Sequence, residues 1–223
     1  MEFSTATNSA WKSPGLGELE AVELNPRHRL MLDQAMRQCG GDPATRNRKC
    51  AEVRELLALS QIAPPGRLVV EALDLRESLR AMLMLEVPVP CKQKEDGELE
   101  IAHRALLGFT YPNEAFQRPW PGFGFFQILM PRNVWLAQVK QPEQALCLAP
   151  QIPSGTRAAL LLLRVYGALS MQSVQVDARD AAGVFEPAVA RWWQDNLDRV
   201  PLTRTAFLEP TNREFLKNEK GSL

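Results

Sequence analysis

Cys147 stands where a thiol can do chemistry. Upstream of it run Tyr111-Pro112, Pro119-Trp120-Pro121 and an aromatic-rich segment ending in Met130-Pro131-Arg132-Asn133-Val134. Downstream come Leu148-Ala149-Pro150, a Pro153-Ser154-Gly155-Thr156 turn and an unbroken apolar stretch. A thiol between strands and the start of a helix can carry an acyl group as a thioester, and its place between Pro-containing loops predicts that it is exposed. Such a carrier needs no strong base beside it: a free thiol of pKa about 8.5 is a few per cent thiolate at neutral pH and already a good nucleophile. Cys39, Cys50 and Cys91 lack this setting and read as packing residues on helix faces and at a strand end. The bland alternative for Cys147 is the same, a buried structural thiol. A cysteine hydrolase pairing Cys147 with His103 would need a third, orienting residue, and none is indicated.

The elements that must position this thiol can be read in order. Residues 1–25 mix Ser, Thr, Gly and Pro without periodicity and are expected to be a mobile lead-in. Asn25-Pro26 signals a helix start, an extra N-terminal helix within residues 26–42 that stops at Gly40-Gly41. Asp42-Pro43 starts a second helix, running to about Ser60, with Val53, Leu56, Leu57 and Leu59 as its apolar stripe and Arg46, Arg48, Lys49 and Arg54 as its basic face. Four strands follow, over Arg67–Leu73, Leu79–Val89, Glu98–Tyr111 and Gly122–Met130, with an Asp96-Gly97 turn between the second and third. Short turns and no crossover helix predict an antiparallel meander. Thr156–Met171 is apolar on nearly every side and reads as a buried helix. Pro187–Leu197 is a last helix, with Trp192 and Trp193 docking on the core. Residues 198–223 are expected to fray as a C-terminal tail.

Composition narrows the partners. The 223 residues are 45% hydrophobic and 23% charged, as in an ordinary globular chain. Lys+Arg and Asp+Glu are both 26, so no electrostatic argument favours nucleic acid or an anionic membrane. No apolar run approaches the roughly 18 residues that span a bilayer, and the N-terminal stretch lacks the apolar core of a signal peptide. Four scattered cysteines without a CxxC pair predict free thiols in a reducing cytoplasm rather than disulfides or a zinc site. With two histidines in the chain, a His-rich metal centre is excluded, and no cofactor is expected.

Taken together, the helix, meander, Tyr111-Pro112, Pro119 and Pro121, the Met130-Pro131-Arg132-Asn133 segment, Cys147-Leu148, Pro153, Thr156 and the apolar helix resemble the ubiquitin-conjugating (E2) fold. The resemblance covers residues 43–197 and is completed by Asp177, Asp180 and the Pro187–Ala190 helix start. It departs from the family pattern in four ways. The histidine usual before the Pro-Asn segment is missing, one extra residue precedes Asn133, Asn133 lies fourteen positions before Cys147, and the stretch from Cys147 to Pro153 is short. The chain is similar in this to divergent bacterial E2-like proteins of ubiquitin-like conjugation operons linked to phage defence.

The resemblance implies an α+β, UBC-like fold and a set of roles. Cys147 would accept a ubiquitin-like protein from an E1-like activating enzyme and pass it to the lysine amine of a target protein. Asn133 would donate a hydrogen bond to the oxyanion of that second step or hold the loop that shapes the site. Asp177 and Asp180 would orient the lysine and favour loss of its proton. The basic face of the helix that starts at Asp42-Pro43 would meet the activating enzyme. Against these stand plainer readings: Asn133 as a turn residue, and Asp177, Asp180 and the basic face as solvated charges. The competing function is a non-catalytic binding module of the same superfamily, like RWD domains and E2 variants, which keep the meander without a usable cysteine.

Overall fold

The computed structural model describes residues 16–173 and 184–208. Both Asx-Pro signals start helices. α1 (Leu16–Ala21) precedes α2 (Pro26–Arg37), where the Asn25 side chain accepts from the His28 N–H. At the head of α3 (Pro43–Ile62) the Asp42 carboxylate accepts from the Ala44 and Thr45 N–H groups. Proline fills the first helical position in each, where its missing N–H leaves nothing unpaired. Gly40 lies between α2 and α3 because a Cβ there would stand 2.0 Å from the Arg76 carbonyl oxygen.

Residues 16–25 are not the mobile lead-in expected of them. Leu19 is fully buried, and Arg54 on α3 donates to the Leu19 and Val22 carbonyls. Those are carbonyls at the end of α1 that its own turns leave unpaired. Two more members of the predicted basic face are also occupied within the chain. Arg48 pairs with Glu52 and donates to Gly155 O. Lys49 is completely buried, its Nζ donating to Gly40 O, Leu75 O and Glu77 O at 3.1, 3.1 and 2.5 Å. Of Arg46, Arg48 and Lys49, Arg46 alone is exposed.

The strands are β1 (Leu68–Asp74), β2 (Leu79–Cys91), β3 (Glu100–Tyr111), β4 (Trp120–Pro121), β5 (Phe126–Met130), β6 (Val139–Lys140), β7 (Ala145–Leu146) and β8 (Gln151–Ile152). The four long ones are the predicted meander, but the sheet does not end with them. A β6–β7 hairpin extends it to six antiparallel strands in the order β1-β2-β3-β5-β7-β6, and β4 pairs with β8 alongside. Two-residue strands carry no alternation that a sequence could display.

The core face of the sheet is covered by α3 and by α4 (Ala158–Leu169), in which every residue but Leu160 and Arg164 is buried. α5 (Pro187–Gln194) docks through Trp193, whose Nε1–H donates to Trp135 O. Beyond α5 the described chain is not frayed. Tyr166 on α4 donates to Thr205 O, Arg67 donates to Ala206 O, and Phe207 and Leu208 are buried. The molecule is thus an α+β fold built on one antiparallel sheet. No helix among the described residues is long and apolar enough to cross a membrane.

Candidate functional site

Cys147 follows β7 directly, and its backbone is held on both sides. Its N–H donates to Gln138 O at 2.9 Å, and the Leu148 N–H donates to Gly122 O at 3.4 Å. Gly122 is obligatory here, since a Cβ would stand 1.9 Å from the Ala149 carbonyl oxygen. This close backbone approach, together with β4–β8 pairing, holds residues 148–150 against β4 and brings the Ala149 carbonyl onto the thiol. Cys147 is therefore 6% exposed, not on the open loop predicted for it. Its Sγ–H donates to Ala149 O at 3.3 Å, and burial pushes the thiol pKa above the ordinary value. Around it the surface is more open: Leu148 and Ala149 are half-buried and Pro150 is exposed.

Asn133 is placed differently from its predicted role. It is exposed, with φ 57°, a left-handed conformation that asparagine tolerates, and its carbonyl accepts from the Lys92 N–H. It borders a cleft of about 280 Å³ together with Cys91, Lys92, Pro131 and Arg132. The cysteine beside Asn133 is thus Cys91, whose thiol burial pushes up to about 11. Among the described residues no hydrogen bond joins the Asn133 side chain to Cys147. Asp177 and Asp180 lie outside the described residues. The Phe185 and Glu186 N–H groups both donate to Ala137 O, one residue from the Cys147 anchor.

The link between the Asn133 loop and the thiol is Gln144, which sequence reasoning missed. It is buried, three residues before Cys147, and its side chain makes three bonds to backbone. Oε1 accepts from the Val134 N–H, and Nε2 donates to Ile128 O at 2.8 Å and Pro131 O at 3.0 Å. Glutamine in a polar hairpin looks like any solvent-facing residue, so no local signal marks it. Lys92, itself buried, secures the same loop, its Nζ lying 4.9 Å from the Trp135 ring and 4.3 Å from the Trp192 ring.

The other side of the site is the start of α4. Tyr111, fully buried among Phe109, Phe116 and Phe125, donates its hydroxyl to Thr156 O. The first helical N–H, of Ala158, has no local cap and donates instead to the Glu52 carboxylate at 2.6 Å, while Arg157 donates to Glu55. His103 is remote from all this. It lines a separate cleft with Arg67, Glu86 and Tyr166, and lies about 20 Å of strand from Phe109, which leads through Phe126 to Leu146. A Cys147–His103 pair is not formed. Among the described residues no group of three or more His, Cys, Asp or Glu is placed to hold a metal ion.

What the arrangement offers is one buried thiol directly after β7, with its Sγ–H on Ala149 O and the exposed Pro150 close by in the chain. No family model, no curated protein and no solved structure matches the chain.

Proposed function

We propose that this chain has a UBC-like fold and acts as an E2-like carrier, taking a ubiquitin-like protein from an E1-like activating enzyme as a thioester on Cys147 and passing it to a lysine amine. The observation that carries the reading is the placement of Cys147 between the β6–β7 hairpin and α4, with backbone hydrogen bonds fixing both of its sides. In the first step the Cys147 sulfur attacks the thioester carbonyl on the activating enzyme, whose thiol leaves as the Cys147 proton departs. In the second the amine attacks, and the Cys147 thiolate leaves and regains a proton. A raised thiol pKa keeps the resting enzyme protonated and makes the thiolate, once formed, a stronger nucleophile. The resemblance to bacterial conjugation operons adds antiviral defence in a reducing cytoplasm as the setting.

The test is to incubate the protein with its cognate activating enzyme, modifier and ATP. The expected product is an adduct cleaved by reducing agent, lost in Cys147→Ala and retained in Cys91→Ala. No adduct, or one that survives Cys147→Ala, sinks the reading. Burial of Cys147 favours a second reading, the non-catalytic binding module. It gains if native Cys147 resists both charging and alkylation while the folded protein binds a partner.

A further inference from the structure

The β6–β7 hairpin sorts its side chains onto two faces. Val139 pairs with Leu146 and Lys140 with Ala145, and the Cys147 N–H on Gln138 O carries the register one step further. Val139 and Leu146 are fully buried in the core. Because side chains alternate along a strand, Lys140, Ala145 and Cys147 lie together on the opposite face. Burial agrees: Cys147 is 6% exposed yet is not part of the hydrophobic core, Ala145 is half-buried and Lys140 is exposed. Lys140 is the diagonal neighbour of Cys147, at about 7–8 Å, a separation that long side chains bridge. Ala145, across from Lys140 and next to Cys147 on this face, puts only a methyl beside that diagonal.

The described residues hold four lysines, and the other three are placed otherwise. Lys49 is buried against three carbonyls, and Lys92 is buried against Trp135 and Trp192. Lys94 is exposed in the turn between β2 and β3, on a different hairpin. Among the described residues no ion pair or side-chain hydrogen bond occupies the Lys140 amine.

We propose, on the reading that Cys147 carries an acyl group as a thioester, that Lys140 accepts this group and the chain modifies itself at that lysine. Loading the sulfur ends its hydrogen bond to Ala149 O, because a thioester has no S–H to donate. The neutral Lys140 amine attacks the thioester carbonyl; a C–N bond forms and the C–S bond breaks. Cys147 leaves as the thiolate and takes up the proton that the nitrogen gives up. The products are an amide on Lys140 and a free thiol, and no further reactant is needed. Both groups stand on one hairpin, so the step is unimolecular, and proximity favours it over attack by an amine from solution. Lys140 is thereby marked once, while Cys147 is free to be loaded again.

A small acyl donor, the acetyl thioester of mercaptoethanesulfonate, tests this on the full chain without a partner enzyme. Acetyl groups are followed by intact mass, by peptide mapping and by hydroxylamine, which cleaves thioesters and spares amides. The expected course is a hydroxylamine-sensitive acetyl on Cys147 that moves to Lys140 at a rate independent of protein concentration. Lys140 should be acetylated about tenfold faster than Lys94, which reports direct acylation from solution. Cys147→Ala should bring Lys140 down to the Lys94 rate. In Lys140→Arg the Cys147 thioester should last several-fold longer; circular dichroism checks that both variants are folded. An acetyl that stays on Cys147 with Lys140 unmodified overturns the proposal and leaves the carrier reading standing. Lys140 acetylation undiminished in Cys147→Ala, or a transfer rate that rises with protein concentration, overturns it too. No acetyl on Cys147, at a pH where ordinary thiols ionise, overturns the proposal and the carrier reading together.

Discussion

Gln144, three residues before Cys147, holds the Asn133 loop to the end of β5. Truncation to alanine would leave the Val134 N–H and the Ile128 and Pro131 carbonyls unpaired in a buried site. Gln144→Ala should therefore lose roughly 2–4 kcal/mol of stability in urea unfolding. Cys147 itself should alkylate slowly at neutral pH, with its rate rising through a midpoint above that of an ordinary thiol; labelling followed by mass spectrometry across pH 7–11 (about the span of shifted thiol pKa values) reads this directly. The linked stability has a definite sign. Cys91 and Cys147 hold their protons more tightly folded than unfolded, so their contribution is complete below the ordinary thiol pKa and is lost as pH rises through the folded values, about 11 for Cys91. Thermal melts should fall in that alkaline window, and less so in Cys91→Ser. At this scale the sequence was partly legible. Cys147 was marked out by its flanking prolines, but its burial comes from Gly122 meeting Ala149, a contact between residues far apart in the chain.

Helix starts separate what is locally written from what is not. α2 and α3 carry their own caps, and both were readable from Asn25-Pro26 and Asp42-Pro43. α4 begins after Arg157, whose side chain makes no cap hydrogen bond to the helix; Glu52 on α3 does the capping. Burial pushes the Glu52 pKa above the ordinary carboxylate value, so ionising it costs stability at neutral pH and that cost is relieved as pH falls toward the usual carboxylate range. Glu52→Gln keeps an acceptor for Ala158 and should lie within about 1 kcal/mol of wild type at neutral pH, with a flatter acid dependence. Glu52→Ala removes the acceptor and should cost roughly 1–3 kcal/mol. Melting temperatures between neutral and mildly acidic pH distinguish the three proteins. The short strands β4, β6, β7 and β8 were illegible for a related reason: their pairing is decided by what they lie against.

For the whole molecule, the antiparallel α+β class was readable from the succession of hydrophobic periods, and the docking of both ends was not. Leu19 buries itself under Arg54, and residues 205–208 close over Tyr166 and Arg67, contacts that polar, aperiodic sequence does not announce. Removal of residues 1–25 should consequently destabilise the chain by several kcal/mol through loss of Leu19 burial and of two bonds to Arg54; chemical denaturation of the truncated protein measures it, and an unchanged midpoint would restore the mobile lead-in. The Glu52 cap reaches Ala158 across 106 residues, with the entire long-stranded sheet in between. A chain leaving the ribosome therefore has α3 and its meander in hand well before the helix that closes over them. Through that interval the part of the core that α4 covers stays open to water, and a pause in translation ahead of Ala158 is the moment at which a holding chaperone would find this protein.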